Sequence, residues 1–400
     1  MSPRHIAVVG AGMAAARFAH QALSLAPPGE LRVTLFGREP HAPYNRTLLT
    51  GTLAGGYAPA ALTLPTGGAA LRTRTEVTAV DPAARTLRTA DGETVPYDAL
   101  VLATGAEPVR PPGRVPGKGV HVLRTLADSA ALTEDALRAR RATVVGGGVL
   151  GVDTARALAE RGLAVHLVHR ASHLMERHLD EGAAATVRRR LEALGVTTHT
   201  GRTVSALLGG DRLTGLELDD GHRLPADLAV LACGATPRTG LARAAGLTVR
   251  TGIVVDDTLA TSAPGVYAIG DCAEHRGTVH GRAEAAWAQA DVLAARLSGA
   301  RPDARHAGTP HFLRLSAGSL EIAALGDCAG GDTHTGTDTV RLTDATRGSY
   351  KKLVLRGDGL VGAVLVGDLG TVGDLTHAFE RSEPLPPDPL HLLTTEGALQ

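Results

Sequence analysis

Small residues occur at two places in the chain where an apolar run gives way to an alanine-rich stretch. The two sets are Gly10, Gly12 and Ala15 after IAVV, and Gly146, Gly148 and Gly151 after TVV. In such a turn the first glycine permits a sharp bend and the second lets a phosphate approach the backbone, while the third small residue lets a helix pack on the sheet. The amides that open the helix then point at the anion. Each set therefore predicts a pyrophosphate site, with an ordinary tight turn as the alternative.

Polar residues follow at the end of the next apolar run in both cases, where the ribose of a nucleotide binds. Glu39 closes the first run and can accept hydrogen bonds from a ribose diol; a surface glutamate is the alternative. His169 and Arg170 close the second. A carboxylate at position 169 would repel a 2′-phosphate, and Arg170 can pair with one, so these residues favour NADPH or use of both NADPH and NADH. The alternative is that both side chains simply face water.

Two dinucleotide sites in one chain are typical of enzymes that bind a flavin and a nicotinamide nucleotide and transfer hydride between them. Each site lies in a strand–turn–helix–strand segment, which is the βαβ unit of a nucleotide-binding fold. From about Gly308 the pattern changes to short alternating strands, as in TVRLTD, YKKLVLRGDG and LVGAVLVG, and RSEPLPPDPLHLL is predicted to be an extended tail.

Composition excludes several other classes of protein. Among the 400 residues, Lys+Arg and Asp+Glu are both 41, so no net charge attracts nucleic acid. No apolar run reaches the ~18 residues needed to span a membrane, and Arg17 argues against a signal peptide. The three cysteines are far apart, which excludes a CxxC pair and fits a reducing compartment. We expect a soluble, cytoplasmic protein with no structural or catalytic metal, either a monomer or a homodimer.

Four further segments carry a resemblance to a known family. LVLATGAEP, TSAPGVYAIGDCA, YNR and ACGATP resemble motifs of the pyridine nucleotide-disulfide oxidoreductase superfamily. The resemblance implies FAD contacts for Arg46, Thr104, Gly105, Gly270, Asp271 and Trp287, and a nicotinamide-side turn at Gly234. For Trp287, helical spacing favours core packing instead.

Within that superfamily, PYNRTLLTGTLAG, LVHRASHLMERHLD, GDCAEHRG and the C-terminal strands resemble the flavoprotein portion of assimilatory nitrite reductase large subunits, with rubredoxin and ferredoxin reductases as relatives. Nitrite reductases continue into iron–sulfur and sirohaem regions, whereas this sequence ends at Gln400 without a cysteine cluster. We therefore expect no reduction of nitrite to ammonia by this chain alone.

Other branches of the superfamily depend on cysteine residues that this sequence does not have at the corresponding positions. LLTGTLAG contains no reactive cysteine, and no dithiol stands near the predicted flavin site. Many ferredoxin reductases have a lysine where this chain has Gly51, and a glutamate where it has Asp153. Asp153 is predicted either to act on the nicotinamide side or to lie on a helix surface.

The predicted fold is α/β, with two Rossmann-like dinucleotide-binding domains and a small C-terminal α+β domain. The predicted boundaries are 1–112 and 246–305 for the FAD domain, 113–245 for the NAD(P)H domain and 306–400 for the C-terminal domain and tail.

The predicted function is an FAD-dependent NAD(P)H oxidoreductase that passes hydride to FAD and then electrons to a separate redox protein, of the ferredoxin, rubredoxin or nitrite-reductase type. Direct reduction of a small nitrogen-containing metabolite and a flavin-binding regulatory protein are the alternatives. The partner is expected near a basic patch on the C-terminal domain made by Arg341, Arg347, Lys351, Lys352 and Arg356; ordinary strand lysines, one of them facing solvent, are the alternative.

Overall fold

The computed structural model describes residues 3–110, 115–328, 336–381, 384–385 and 389–394. The chain forms two compact units. The first comprises residues 1–49, 57–109 and 235–309, and the second comprises residues 50–56, 110–234 and 310–400. The three-domain boundaries given by the sequence stay a prediction.

Strands account for most of the regular structure. In chain order they are β1 Arg4–Val9, β2 Leu31–Phe36, β3 Ala70–Arg72, β4 Val77–Asp81, β5 Thr86–Thr89, β6 Thr94–Pro96, β7 Ala99–Leu102, β8 Ala106–Pro108, β9 Val120–His121, β10 Arg141–Val145, β11 Ala164–His169, β12 Val196–Thr200, β13 Val204–Gly209, β14 Leu213–Leu218, β15 Arg223–Pro225, β16 Leu228–Leu231, β17 Ala235–Pro237, β18 Ile253–Val255, β19 Val266–Ala268, β20 Ala273–His275, β21 Phe312–Ala317, β22 Leu320–Gly326, β23 Asp338–Asp344, β24 Ser349–Arg356 and β25 Gly359–Val366.

Helices follow the two glycine turns and cover the sheets. They are α1 Met13–Leu25, α2 Leu49–Leu53, α3 Leu126–Ala136, α4 Val149–Glu160, α5 Glu181–Ala193, α6 Gly240–Ala244, α7 Ala283–Leu297 and α8 Val372–Arg381. Single 3-10 turns occur at Arg46–Leu48, Pro59–Leu62, Gly270–Cys272 and Pro389–Leu392.

The first unit is built on a parallel sheet with the order β19-β7-β1-β2-β3. Its central strands are largely apolar, as expected for a parallel sheet with both faces covered. Ile6, Ala7 and Val8 of β1 have no exposed surface. Helices α1 and α7 pack together, and Arg17 of α1 pairs with Asp291 of α7. The predicted strand–turn–helix–strand order is confirmed.

The second unit contains another parallel sheet, with the order β12-β11-β10-β16-β9. It repeats the arrangement of the first, with α4 after β10 as α1 follows β1. A short antiparallel sheet, β13-β14-β15, lies in the same unit. The second βαβ segment is therefore also confirmed.

The C-terminal part of the second unit is an antiparallel sheet with the order β21-β22-β25-β24-β23. The three strands predicted from TVRLTD, YKKLVLRGDG and LVGAVLVG are β23, β24 and β25. The sheet buries side chains on both faces. One face joins the core that contains Val187 and Leu191 of α5, and the other forms a core with Val372 and Leu375 of α8.

This two-sided burial removes both lysines from the predicted basic patch, whereas Arg341, Arg347 and Arg356 are exposed. Lys351 and Lys352 of β24 are 3% and 0% exposed, so neither lysine faces solvent. Lys351 Nζ contacts Asp368 at 2.7 Å, and Lys352 Nζ contacts Asp180 at 3.0 Å. The alternative with one solvent-facing lysine is wrong as well, because the sheet is covered on both faces and not on one.

The predicted extended tail is partly wrong. Pro389–Leu392 forms a 3-10 turn, and Leu393 is fully buried in the C-terminal core. The Leu393 carbonyl accepts a hydrogen bond from Lys351 Nζ at 2.8 Å. Residues 382–383, 386–388 and 395–400 lie outside the described residues.

Within the ranges that the structure describes, none of the helices combines the length and the apolar character that crossing a bilayer requires. The same ranges hold no group of three or more His, Cys, Asp or Glu side chains arranged to bind a metal ion.

Candidate functional site

The first glycine turn joins β1 to α1 and leaves room above the start of the helix. Gly10 has φ +116°, and a Cβ there would lie 2.1 Å from the Ala103 carbonyl oxygen, so only glycine fits. Gly12 is the N-cap of α1, and a Cβ there would meet only Arg46 Nε, at 3.9 Å. Ala15 is fully buried under the sheet. The turn therefore presents the amides of a helix N-terminus to an open space.

A second segment comes to the same helix end. Gly270 has φ +77°, and a Cβ there would stand 3.1 Å from the Ala14 Cβ in the first turn of α1. Its N–H donates to Gln289 Oε1 at 2.7 Å. Asp271 follows in the 3-10 turn. The structure thus brings the predicted Gly270–Asp271 motif to the first glycine turn. Gln289, which holds it there from α7, has no signal in the sequence.

Glu39 is held by two neighbours from the following loop. Its carboxylate accepts hydrogen bonds from the Tyr44 hydroxyl and from the Arg46 guanidinium. Burial raises the pKa of Glu39, but Arg46 and Tyr44, with a smaller contribution from His41, outweigh it and leave the pKa below its usual value. Glu39 is therefore an anion beside the glycine turn, and the Arg46 side chain that pairs with it is partly buried.

The predicted Thr104–Gly105 turn is tied to the segment that begins at β17. Thr104 Oγ1 donates to the Arg238 carbonyl at 2.7 Å, and the Arg238 N–H donates to the Gly105 carbonyl at 2.9 Å. Strands β8 and β17 pair antiparallel beside these bonds. Gly234, just before β17, has φ +99° and open space where a Cβ would stand.

The second glycine turn, between β10 and α4, repeats the geometry of the first. Gly146 has φ +112°, and a Cβ there would lie 2.3 Å from the Ala232 carbonyl oxygen. A Cβ on Gly151 would lie 1.7 Å from the Gly146 carbonyl oxygen, so the helix packs directly on the turn. Gly148, the N-cap of α4, has nothing within 4 Å of its Cβ position.

Both turns therefore fit a dinucleotide pyrophosphate. At Gly10 and Gly146 a neighbouring backbone carbonyl leaves room only for glycine. At Gly12 and Gly148 the helix N-terminal amides face open space and attract a negative charge.

His169 is buried at the end of β11, so the alternative in which both side chains face water is wrong for His169. The Gly147 N–H donates to His169 Nδ1 at 3.0 Å, and His169 Nε2 lies 2.9 Å from the Glu176 carboxylate. Arg170, the next residue, is exposed. Sequence reasoning missed Glu176, because it is seven residues beyond the strand end, where no spacing rule applies.

Asp153 is buried on α4 and already has partners in its own unit. Arg156 contacts its carboxylate at 2.7 Å, and the Thr50 hydroxyl donates to its other oxygen. The prediction of a helix-surface acid is therefore wrong, while a nicotinamide-side role stays a prediction. Trp287 is only partly buried on α7, so core packing does not describe it, and its flavin-side role also stays a prediction.

The cysteines are free thiols and not prepared for nucleophilic chemistry. Burial raises the pKa of Cys272, and it raises the pKa of Cys328 to about 12. Cys233, whose residue is exposed as a whole, also has a raised pKa because its thiol is desolvated. A reactive cysteine needs a lowered pKa.

Comparison with known proteins agrees with this geometry. The family model for pyridine nucleotide-disulphide oxidoreductases matches residues 4–290, and the model for the rubredoxin NAD+ reductase C-terminal domain matches residues 313–383. The chain is 36% identical to the nitrite reductase [NAD(P)H] of Bacillus subtilis over 92% of its own length and 46% of that protein's. It spans less than half the length of the nitrite reductases that it resembles.

Relatives of similar length include ferredoxin reductases. The chain is 33% identical to the ferredoxin–NAD(+) reductase component of the anthranilate 1,2-dioxygenase system of Burkholderia cepacia, over 92% of both proteins. A crystal structure of the ferredoxin reductase of the CYP199A2 system from Rhodopseudomonas palustris superposes with a TM-score of 0.83 at 30% identity, covering 94% of this chain and 93% of that one. With its two glycine turns and both family matches, the chain belongs to the pyridine nucleotide-disulphide oxidoreductase family.

Proposed function

We propose that the chain is an FAD-dependent NAD(P)H oxidoreductase that passes electrons to a separate redox protein. The observation that carries the proposal is the pair of open helix N-termini at Gly12 and Gly148. Each follows a glycine, Gly10 or Gly146, at which a neighbouring backbone carbonyl leaves no room for a Cβ. FAD is assigned to the first turn, with Glu39, Gly270 and Asp271, and NAD(P)H to the second.

Bound FAD supplies the chemistry of accepting a hydride and releasing electrons one at a time. The protein's own residues bind and orient the two dinucleotides. Asp153 is paired with Arg156 and accepts a hydrogen bond from Thr50, so we assign it a positioning role. Because none of the three cysteines is an activated thiol, electrons leave without a protein relay.

The acceptor is a small iron–sulfur protein of the ferredoxin type. Two relatives that match over more than nine-tenths of their own length are named as ferredoxin reductases. The nitrite reductases match over less than half of theirs, so their names leave the acceptor of this chain open. Three free thiols suit a reducing compartment, and we place the activity in the cytoplasm.

The first experiment identifies the flavin and its reductant. The purified protein is expected to be yellow, to release about one FAD per chain on denaturation, and to bleach when NADH or NADPH is added without oxygen. Release of FMN, or no flavin after reconstitution, would contradict the proposal. A reduced protein that then reduces ferredoxins no faster than free dye would contradict the partner, but not the hydride step.

A glycine substitution tests the second turn separately. Gly148→Ala is expected to fold and keep FAD, because no protein atom lies near the new Cβ, yet to bind NAD(P)H at least tenfold more weakly. Gly240→Ala is the matched control, since Gly240 opens α6 and also has nothing within 4 Å of its Cβ position. Equal bleaching by both variants would show that no pyrophosphate lies on Gly148.

A further inference from the structure

Glu176 returns to the second glycine turn from the loop after β11. The Met175 N–H donates to the Gly147 carbonyl at 2.9 Å. Met175 has φ +55°, an uncommon conformation for a residue other than glycine, and its side chain is buried in the core. The buried side chain and the hydrogen bond together hold this strained turn, which brings Glu176 to the end of β11.

His169 fixes the position of the Glu176 carboxylate. A backbone N–H can only donate, so the bond from Gly147 requires His169 Nδ1 to be the acceptor. The ring proton is then on Nε2, which donates to Glu176 Oε2 at 2.9 Å. Both ring nitrogens are used, and the residue is buried. His169 therefore has no polar atom left for a ligand and acts as a positioning residue.

The carboxylate itself is charged and reaches solvent. The Glu176 side chain is 29% exposed, whereas that of His169 is 7% exposed. Burial raises the pKa of Glu176, but its own backbone N–H and His169 outweigh this effect, so the pKa lies below its usual value. At neutral pH the Glu176 carboxylate is therefore an anion, hydrogen-bonded to His169 at the end of β11.

That position is where the nucleotide-binding fold places the adenosine ribose. With a pyrophosphate at the N-terminus of α4, the ribose lies beside the end of the second strand, here β11. A carboxylate there accepts hydrogen bonds from the 2′- and 3′-hydroxyls and repels a 2′-phosphate. In most such folds the strand-end residue itself provides the acid; here that residue is His169.

We propose that Glu176, positioned by His169, is the residue that makes the second site prefer NADH over NADPH. The site uses a carboxylate that enters from the loop, in place of one at the strand end. Arg170 attracts a 2′-phosphate from the exposed side, but the fixed charge of Glu176 opposes it. This reverses the preference for NADPH predicted from His169 and Arg170. Because NAD(P)H is a substrate only under the proposed function, this assignment rests on it.

Binding of oxidised nucleotides tests the assignment without turnover. Calorimetric titration of the wild-type protein is expected to show tighter binding of NAD+ than of NADP+, and of 5′-AMP than of 2′,5′-ADP. Glu176→Gln keeps the acceptor for His169 and removes the charge, so it is expected to raise affinity for NADP+ relative to NAD+ by about tenfold. Glu181→Gln, an exposed glutamate at the start of α5, is the matched control and is expected to leave the ratio unchanged.

A second variant tests the positioning role. His169→Ala frees the carboxylate and is expected to weaken NAD+ binding while FAD content stays the same. Wild-type protein that binds NADP+ as tightly as NAD+, or a Glu176→Gln variant with an unchanged ratio, would overturn the assignment even if the flavin bleaches normally. Failure of both dinucleotides to bind would overturn the proposed function, and the assignment with it.

Discussion

Lys352 is the most deeply buried charge on the C-terminal sheet, and replacing it gives a sharp test of how that sheet is held. Its Nζ lies 3.0 Å from Asp180 Oδ2 and 3.2 Å from the Cys328 carbonyl. Asp180 also caps α5 through the Ala183 N–H at 2.9 Å and accepts the Tyr350 hydroxyl at 2.8 Å. Lys352→Met removes the charge and leaves an unbranched apolar side chain that is one atom shorter.

The expected loss of stability follows from what remains unpaired. Breaking a buried ion pair by removing one partner costs about 3–5 kcal/mol, because the other charge stays buried. Asp180 keeps two neutral donors, Ala183 and Tyr350, which places the loss near the lower end. For a unit of this size, each kcal/mol lowers Tm by about 2–4 °C, so Lys352→Met is expected to lower the Tm of the second unit by on the order of 10 °C.

The loss also depends on pH. Burial raises the pKa of Asp180, but the Ala183 N–H, Tyr350 and Lys352 outweigh it, so the folded-state pKa lies below the usual 3.8. The stabilisation is therefore present above about pH 4 and disappears as the pH falls through the folded-state pKa. The difference between wild type and Lys352→Met is expected to be full at neutral pH and to shrink in acid.

Scanning calorimetry of the whole chain, with each transition followed separately, is the measurement. Lys118→Met makes the same chemical change at an exposed lysine and is expected to stay within about 0.5 kcal/mol of wild type. Asp180→Asn combined with Lys352→Met is expected to lose less than the sum of the two single variants, because neither charge is then left alone. Strict additivity, or a Lys352→Met loss no greater than that of Lys118→Met, would refute the buried pair.

Three further predictions concern the sites. Gly12→Ala is expected to fold, since its new Cβ meets only Arg46 Nε, at 3.9 Å. It is expected to lose FAD, because the Cβ fills space that the pyrophosphate needs, and full flavin content would contradict this. Arg170→Glu is expected to raise the KM for NADPH about tenfold and to affect NADH less, by loss of a charge-assisted pair; equal effects would place Arg170 away from the 2′-phosphate. Burial lowers the pKa of His306 from 6.5 to about 4. The neighbouring His275, His280 and Arg276 also oppose its positive charge, and Asp257 favours it. Between those pH values the unfolded chain binds a proton that the folded chain does not. The free energy of unfolding is therefore expected to decrease by on the order of 3 kcal/mol as the pH is lowered from 6.5 to about 4. His306→Leu is expected to remove that dependence in unfolding curves recorded in acid.

The local pattern of the sequence determined the two nucleotide-binding units. A strand, a glycine turn and a helix lie within about 20 consecutive residues, so the requirement for glycine at Gly10 and Gly146 can be predicted without knowing the neighbours. The structure adds the reason, which is contact with the carbonyls of Ala103 and Ala232. The three C-terminal strands were predicted for the same reason, since alternation is a local property.

Tertiary structure alone decided which polar side chains are covered and which meet. Alternation in YKKLVLRG gives two faces of a strand, but it does not say that α5 covers one face and α8 the other, so both lysines were misplaced. Thr50 meets Asp153 across more than one hundred residues, and Glu176 meets His169 only through the turn at Met175. Such contacts depend on how separate segments pack against each other, which leaves no fixed spacing in the sequence.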